Sequence, residues 1–163
     1  MKESDYLQEN PEVIKSLKKL PIMGSLEDKH VKGLAKLCKI VQFEKGECIF
    51  EEGGFDQHIF FIISGKVKIS KKGVDIGEIR KQGDVFGEMG IIEEKERSAS
   101  VVADDTTNCL KMDLSYIDRL PENERDSCLY VIYKVFTVLL AGRLRATSEE
   151  LMLTKAALAR VKS

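Results

Sequence analysis

Apolar and polar positions along the 163 residues fall into three regimes. Up to about Lys39, Leu26, Val31, Leu34, Leu37 and Cys38 recur at helical spacing, and Ser25 with Asp28 three residues on resembles a capping box in its chemistry. From about 40 to 112 the spacing shortens to that of β-strands, rich in β-branched and aromatic residues, over 40–43, 48–51, 58–64, 67–70, 75–79, 98–103 and 108–112. Glycine turns at 46, 53–54, 65, 73, 77 and 83 separate them; nine of the 12 glycines lie between Gly46 and Gly90, and the prolines, Pro11, Pro21 and Pro121, all lie outside 22–120. After Pro121 the pattern is helical almost to the end, interrupted by Gly142, which costs about 1 kcal/mol relative to alanine in a helix interior.

Many short strands without βαβ alternation disfavour a parallel sheet and predict an α+β fold: an antiparallel β jelly roll or double-stranded β-helix barrel with N-terminal helices and a long C-terminal helix. The expected division is an N-terminal helical segment over 1–40, the barrel over 41–121 and the C-terminal helix over 122–163. Antiparallel closure is expected to remove exposed strand edges. On the last helix Leu129, Ile132, Phe136, Leu139 and Leu140 form one apolar side and Val131, Val135 and Val138 another. One can pack on the sheet; the other needs a cover, most simply the same helix of a second copy, which predicts a homodimer. Leu144, Thr147, Leu151, Thr154, Leu158 and Val161 continue at alternating three- and four-residue steps, a coiled-coil-like seam. A helix folded back over its own barrel is the alternative.

At 43% hydrophobic and 33% charged, a chain of this length can bury a real core, which excludes disorder as its main state. A net charge of −1 gives no overall basic field, so phosphate-backbone binding to nucleic acid is not expected from this chain alone. Lys155, Arg160 and Lys162 near the end are what a helix C-terminus favours without DNA. Cys38, Cys48, Cys109 and Cys128 show no CxxC or metal spacing and read as reduced, mostly core residues. A polar N-terminus without a signal peptide, and a longest apolar stretch (129–142) broken by Lys134 and short of the roughly 20 residues of a membrane span, predict a cytoplasmic protein that uses no membrane.

The chemistry concentrates in residues 83–103, GDVFGEMGIIEEKERSASVVA. Gly87 ahead of Glu88-Met89-Gly90-Ile91 marks entry into a short helical turn where backbone N–H groups can meet an anion. Nine residues after Glu88, Arg97 offers a planar fork for two phosphate oxygens, and Ser98 and Ser100 beside it offer hydroxyl donors. Ionised Glu88 cannot donate, so it suits a sugar hydroxyl near the phosphate. A ribose phosphate satisfies both. The run Glu93-Glu94-Lys95-Glu96 reads as a solvated loop and no metal site is expected.

FGEMGIIEEKERSASVVA resembles the phosphate-binding cassette of cyclic nucleotide-binding domains, F-G-E-x-(A/G)-(L/I) followed by R-(A/S)-A-(T/S)-V, with Glu88, Gly90, Arg97, Ala99 and Ser100 on matching positions and the cassette over 86–100. Upstream, KGECIFEEGGFDQHIFFIISGKVKIS is similar to the family's K-G-x-x-I and F/Y-x-I-x-x-G. The resemblance implies that Glu88 takes the ribose 2′-hydroxyl, that Arg97 pairs with the cyclic phosphate, and that backbone N–H groups near Met89 and Ala99 join them. Arg143-Leu144-Arg145-Ala146-Thr147-Ser148-Glu149 resembles the R-L-x-x-T-S-E of the bacterial catabolite activator branch. It implies that Thr147, and Ser148 of the partner subunit, contact the purine, favouring cyclic AMP over cyclic GMP, and that Arg143 pairs with Glu88; Thr147 and Ser148 as polar seam residues that set helix register are the alternative. That branch ends in a winged helix-turn-helix, for which the roughly twenty residues after Arg143 leave no room, so the chain reads as the sensor part alone.

Competing readings are weaker. A cupin-type metal enzyme needs closely spaced histidines on neighbouring strands, and only His30 and His58 occur. A sensor of haem, an iron–sulfur cluster or another small ligand remains within the family, but the first 37 residues hold no cysteine cluster. No catalytic residue is assigned. The expected mechanism is a population shift in which ligand fixes the cassette and the cassette moves the last helix; Arg97→Ala is expected to abolish tight binding with the fold retained.

Overall fold

The computed structural model describes residues 1–5, 7, 11–20, 23–24 and 26–162. β1 (Lys2–Glu3) is followed by α1 (Pro11–Leu17) and α2 (Asp28–Ala35). Then come β2 (Cys38–Phe43), β3 (Cys48–Phe50), β4 (His58–Ser64), β5 (Val67–Lys71), β6 (Val74–Ile79) and β7 (Val85–Phe86). A short α3 (Glu88–Ile92) precedes β8 (Ser100–Ala103) and β9 (Thr107–Asp113); a 3-10 turn (Leu114–Arg119) leads to α4 (Glu122–Lys162).

All strand pairings are antiparallel, in two sheets ordered β1-β2-β9-β4-β7 and β3-β8-β5-β6. β4 explains the layering. It reads His-Ile-Phe-Phe-Ile-Ile-Ser, apolar on both faces, as a strand covered on both sides must be. Phe60 and Ile62 point into the barrel with Val41, Phe43, Phe86, Val101 and Cys109. Ile59 and Phe61, beside Met112 and Leu110 of β9, point outward under α1, α2 and α4. Two cores thus share one strand. The turn after β4 depends on Gly65, whose φ is +89° and whose added Cβ would lie 2.5 Å from the Thr106 carbonyl oxygen.

Several expectations need correction. Cys38 lies on β2, because α2 ends at Ala35, though Leu37 and Cys38 are buried as expected. Ser25 falls outside the described residues; Glu27 occupies the N-cap of α2 without a side-chain cap bond. The strand expected over 98–103 begins only at Ser100, because Arg97–Ala99 belong to the cassette loop. Two-residue β1 and β7 carry too few residues to leave a periodic signal. Closure does not remove every edge: β6 ends the four-stranded sheet with Val74 and Ile76 exposed. Cys48 is exposed, while Cys38, Cys109 and Cys128 are buried; all are free thiols, and burial pushes the Cys109 thiol up to about 12.

On α4 the buried face is Cys128, Val131, Ile132, Val135 and Phe136, not either group read from the sequence. That face closes the outer core against α2. By length and apolar content α4 would pass for a membrane span, contrary to the sequence reading, but this buried face is built into the body. The opposite face carries Tyr130, Tyr133, Thr137, Leu140, Leu144, Thr147, Leu151, Thr154 and Leu158, all exposed, at alternating three- and four-residue steps. The seam therefore starts about four turns before Leu144, on the body itself. From Leu144 to Arg160 every residue is exposed, and Gly142 has nothing within 4 Å of an added Cβ.

Candidate functional site

β7 delivers the chain to Gly87, which has φ +85°. A Cβ there would stand 2.7 Å from Arg97 Nη1 and 3.2 Å from the His58 carbonyl oxygen, so only glycine permits both the left-handed turn and the close approach. α3 starts at the next residue. The loop behind it is lashed down by backbone bonds: Lys95 N–H to Gly90 O at 2.8 Å, Arg97 N–H to Gly54 O at 2.7 Å and Gly53 N–H to Arg97 O at 2.9 Å. Glu88 and Arg97 are thereby held inward, 1% and 3% exposed.

Two buried charges require partners. Arg143, from α4, donates through Nη1 to Glu88 Oε1 and through Nη2 to the Val85 carbonyl. This is the ion pair the sequence resemblance implied, and it joins the cassette to the long helix. Burial pushes the Glu88 carboxyl above its ordinary range; the Arg143 charge is the largest opposing influence. Arg97 lies against a carboxylate that sequence reasoning missed. Its Nε donates to Asp56 Oδ2 at 3.0 Å and its Nη2 to Asp56 Oδ1, while Nη1 reaches the Gly87 carbonyl and Nη2 also the His58 carbonyl at 2.7 Å. The Phe50 ring supports the guanidinium, 4.1 Å from centroid to Cζ. Burial pushes Asp56 upward, but hydrogen bonds from His58 and Arg97 outweigh it and hold the carboxyl well below the usual range. The signal available in sequence was indirect: an arginine read as internal needs an acid, and Asp56 is the nearest acid before β4.

Gly87, Glu88, Met89, Gly90, Arg97, Ser98, Ala99 and Arg143 border one hollow of about 170 Å³. Its remaining walls are apolar, from Phe50, Phe86, Ile69, Ile76, Ile79 and Val101. Small-molecule sites usually hold roughly 300–1,000 Å³, so this space admits a compact polar group and leaves the rest of a larger ligand at the mouth. Other hollows of the molecule are larger; the two buried charges, not size, single this one out.

Three expected site residues do not border it. Ser100 turns toward the loop after β3, where its hydroxyl accepts from Glu52 N–H at 2.9 Å. Thr147 and Ser148 are exposed on α4 beyond Arg143, and the Ser148 hydroxyl donates to its own helix at Leu144 O, 2.8 Å away. Arg97→Ala would also remove structural hydrogen bonds. Alanine would leave Asp56 with only its His58 donors and take the Arg97 donors from the Gly87 and His58 carbonyls, so a variant that keeps the charge is the cleaner probe. Among the described residues no group of three or more His, Cys, Asp or Glu side chains could hold a metal ion.

Residues 40–124 match the family model described as "Cyclic nucleotide-binding domain". The chain is 31% identical to a cAMP-dependent protein kinase regulatory subunit from Eremothecium gossypii, over 53% of this chain and 19% of that protein. It is 30% identical to a CRP-like cAMP-activated global transcriptional regulator from Mycobacterium tuberculosis, over 80% of this chain and 58% of that one. It thus spans a fraction of the length of either relative. The crystal structure of a cyclic nucleotide-binding domain from Methylobacillus flagellatus shares the fold, with a TM-score of 0.71 and 20% identity over 88% of this chain and 82% of that one.

The Glu88–Arg143 pair yields a prediction. Because burial raises the folded Glu88 pKa above its unfolded value, the Glu88 contribution to stability is present at low pH and lost as pH rises through the folded value. Arg143 opposes that loss. Arg143→Ala should therefore lower stability by about 1–3 kcal/mol near neutral pH and by less near the carboxylate range. Urea denaturation of both proteins at the two pH values checks this.

Proposed function

The chain belongs to the cyclic nucleotide-binding domain family, and from that membership we propose that it is a regulatory module that takes cyclic AMP into the hollow beside Arg97 and transmits occupancy through α4. One observation carries this reading: a buried carboxylate and a buried guanidinium border a single small hollow, and the carboxylate's partner is the long helix. The cyclic phosphate would meet Arg97, Ser98 and the backbone of Met89 and Ala99, and a ribose hydroxyl would meet Glu88. The purine would lie at the mouth, beside Met89 and Ile76, which are 46% and 59% exposed. Glu88 cannot accept fully from a ribose hydroxyl without sharing Arg143, so filling the hollow alters the force on α4. No chemical step is assigned, because nothing in this arrangement pairs a nucleophile with a base.

Cyclic AMP is favoured over cyclic GMP on one ground, that residues 143–149 resemble the purine-contacting helix of the catabolite activator branch; the relatives' own names divide between the two nucleotides. The purine contact by Thr147, and by Ser148 of a second copy, requires that copy, because neither side chain reaches the hollow within one chain. The exposed seam from Tyr130 to Leu158 supports a homodimer through α4, with three threonines in the seam setting register. A cytoplasmic location, without membrane or nucleic-acid contact by these residues, completes the proposal.

Isothermal titration with cyclic AMP and cyclic GMP tests the assignment. Arg97→Lys retains charge but loses the planar set of donors, and should weaken cyclic AMP binding more than about tenfold, the loss of about one hydrogen bond to a charged group. Equal affinity in variant and wild type removes Arg97 from the site. Thr147→Ala should shift the cyclic AMP to cyclic GMP ratio; an unchanged ratio withdraws the base contact. Leu151→Lys should convert a dimer to a monomer in sedimentation equilibrium, and a wild type that is monomeric at every concentration removes the seam as an interface.

A further inference from the structure

The residues just before β4 do more than hold Arg97. Asp56 Oδ1 meets three donors at once: the Nη2–H of Arg97, the backbone N–H of His58 at 2.9 Å and the imidazole of His58, whose Nδ1 lies 3.0 Å away. The His58 backbone carbonyl accepts from the same Arg97 Nη2. On its other side, His58 Nε2 faces Asp113 Oδ2 of β9 at 3.9 Å. The imidazole, 29% exposed, thus stands between two carboxylates, with the Phe60 ring 6.5 Å away. Asp56, Asp113 and Arg97 are the charged groups that face it from the loop, from β9 and from the cassette.

With Nδ1–H directed at Asp56, Nε2 is the atom free to take a further proton. A proton there turns the ring into a cation. The cation draws more strongly on Asp56, leaving less of that carboxylate's charge to Arg97, and places positive charge next to the guanidinium. Both changes favour an anion at Arg97. We infer that His58 is a positioning residue for Arg97 whose protonation tightens the grip on a cyclic nucleotide's phosphate, so that affinity rises as pH falls. This rests on the function proposed for the same hollow. Linkage is reciprocal, so ligand binding draws a proton onto His58.

His58→Asn keeps an N–H donor where Nδ1 lies but cannot be protonated. Calorimetry with cyclic AMP at about pH 6 and about pH 8, on either side of the ordinary histidine range, in buffers of different ionisation enthalpy, measures both affinity and protons taken up. Wild type should bind on the order of fivefold more tightly at the lower pH, with net proton uptake. The asparagine variant should bind as wild type does at the higher pH and gain nothing at the lower. Glu88 remains in the variant and, if it titrates, weakens binding at acid pH, the opposite sign. A pH profile that is the same in wild type and His58→Asn, with or without a uniform loss of affinity, overturns the inference while leaving the ligand assignment standing. No binding at either pH overturns both.

Discussion

Burying Glu88 and Arg97 next to one hollow forces the rest of the arrangement. Two opposite charges side by side could have satisfied each other, but each is instead bound to a group outside the cassette, Glu88 to α4 and Arg97 to the loop before β4. An ionised group nearly removed from water is tolerated only when its partners are fixed. The cassette therefore cannot shift without disturbing α4 on one side and Asp56 on the other. What a short loop of mixed sequence could not achieve by packing it achieves by obligation.

The scaffold beneath these pairs is stiff because β4 serves two cores. Phe60 and Ile62 belong to the barrel interior, Ile59 and Phe61 to the helical layer, and the Gly65 turn locks the end of the strand against Thr106 and Thr107. The His58 carbonyl that receives Arg97 is the first group of this strand. A displacement at the site thus reaches a strand that both cores hold, and the rigid body leaves α4 as the element with freedom to respond.

Much of this was legible in the sequence, and the exceptions have physical causes. β4 was found because its apolar residues are continuous, β5 and β9 because theirs alternate with polar ones, and the cassette because glycine, acid and arginine stand at a diagnostic spacing. Arg143 as the partner of Glu88 came from its short motif and is realised in the geometry. Asp56 escaped because a lone acid after two glycines looks like any solvated turn; only the fold brings it within reach of a residue 41 positions later. The split of α4 into faces was misassigned because nearly all of its middle is apolar, so periodicity could not say which stripe the body would take. Val85 and Phe86 of β7 pair with β4 over too short a length for alternation to show.

Gly142 stands immediately before Arg143, the last residue through which α4 touches the body. Beyond it the exposed helix extends to Arg160, about 27 Å at 1.5 Å per residue, so bending by about 10° at that point would swing the far tip sideways by about 5 Å. A contact change too small to alter the barrel is thereby magnified into a displacement the size of an amino-acid side chain. The arginine sets where such a bend would be felt by the body, and the length of helix beyond it sets how far the motion would reach.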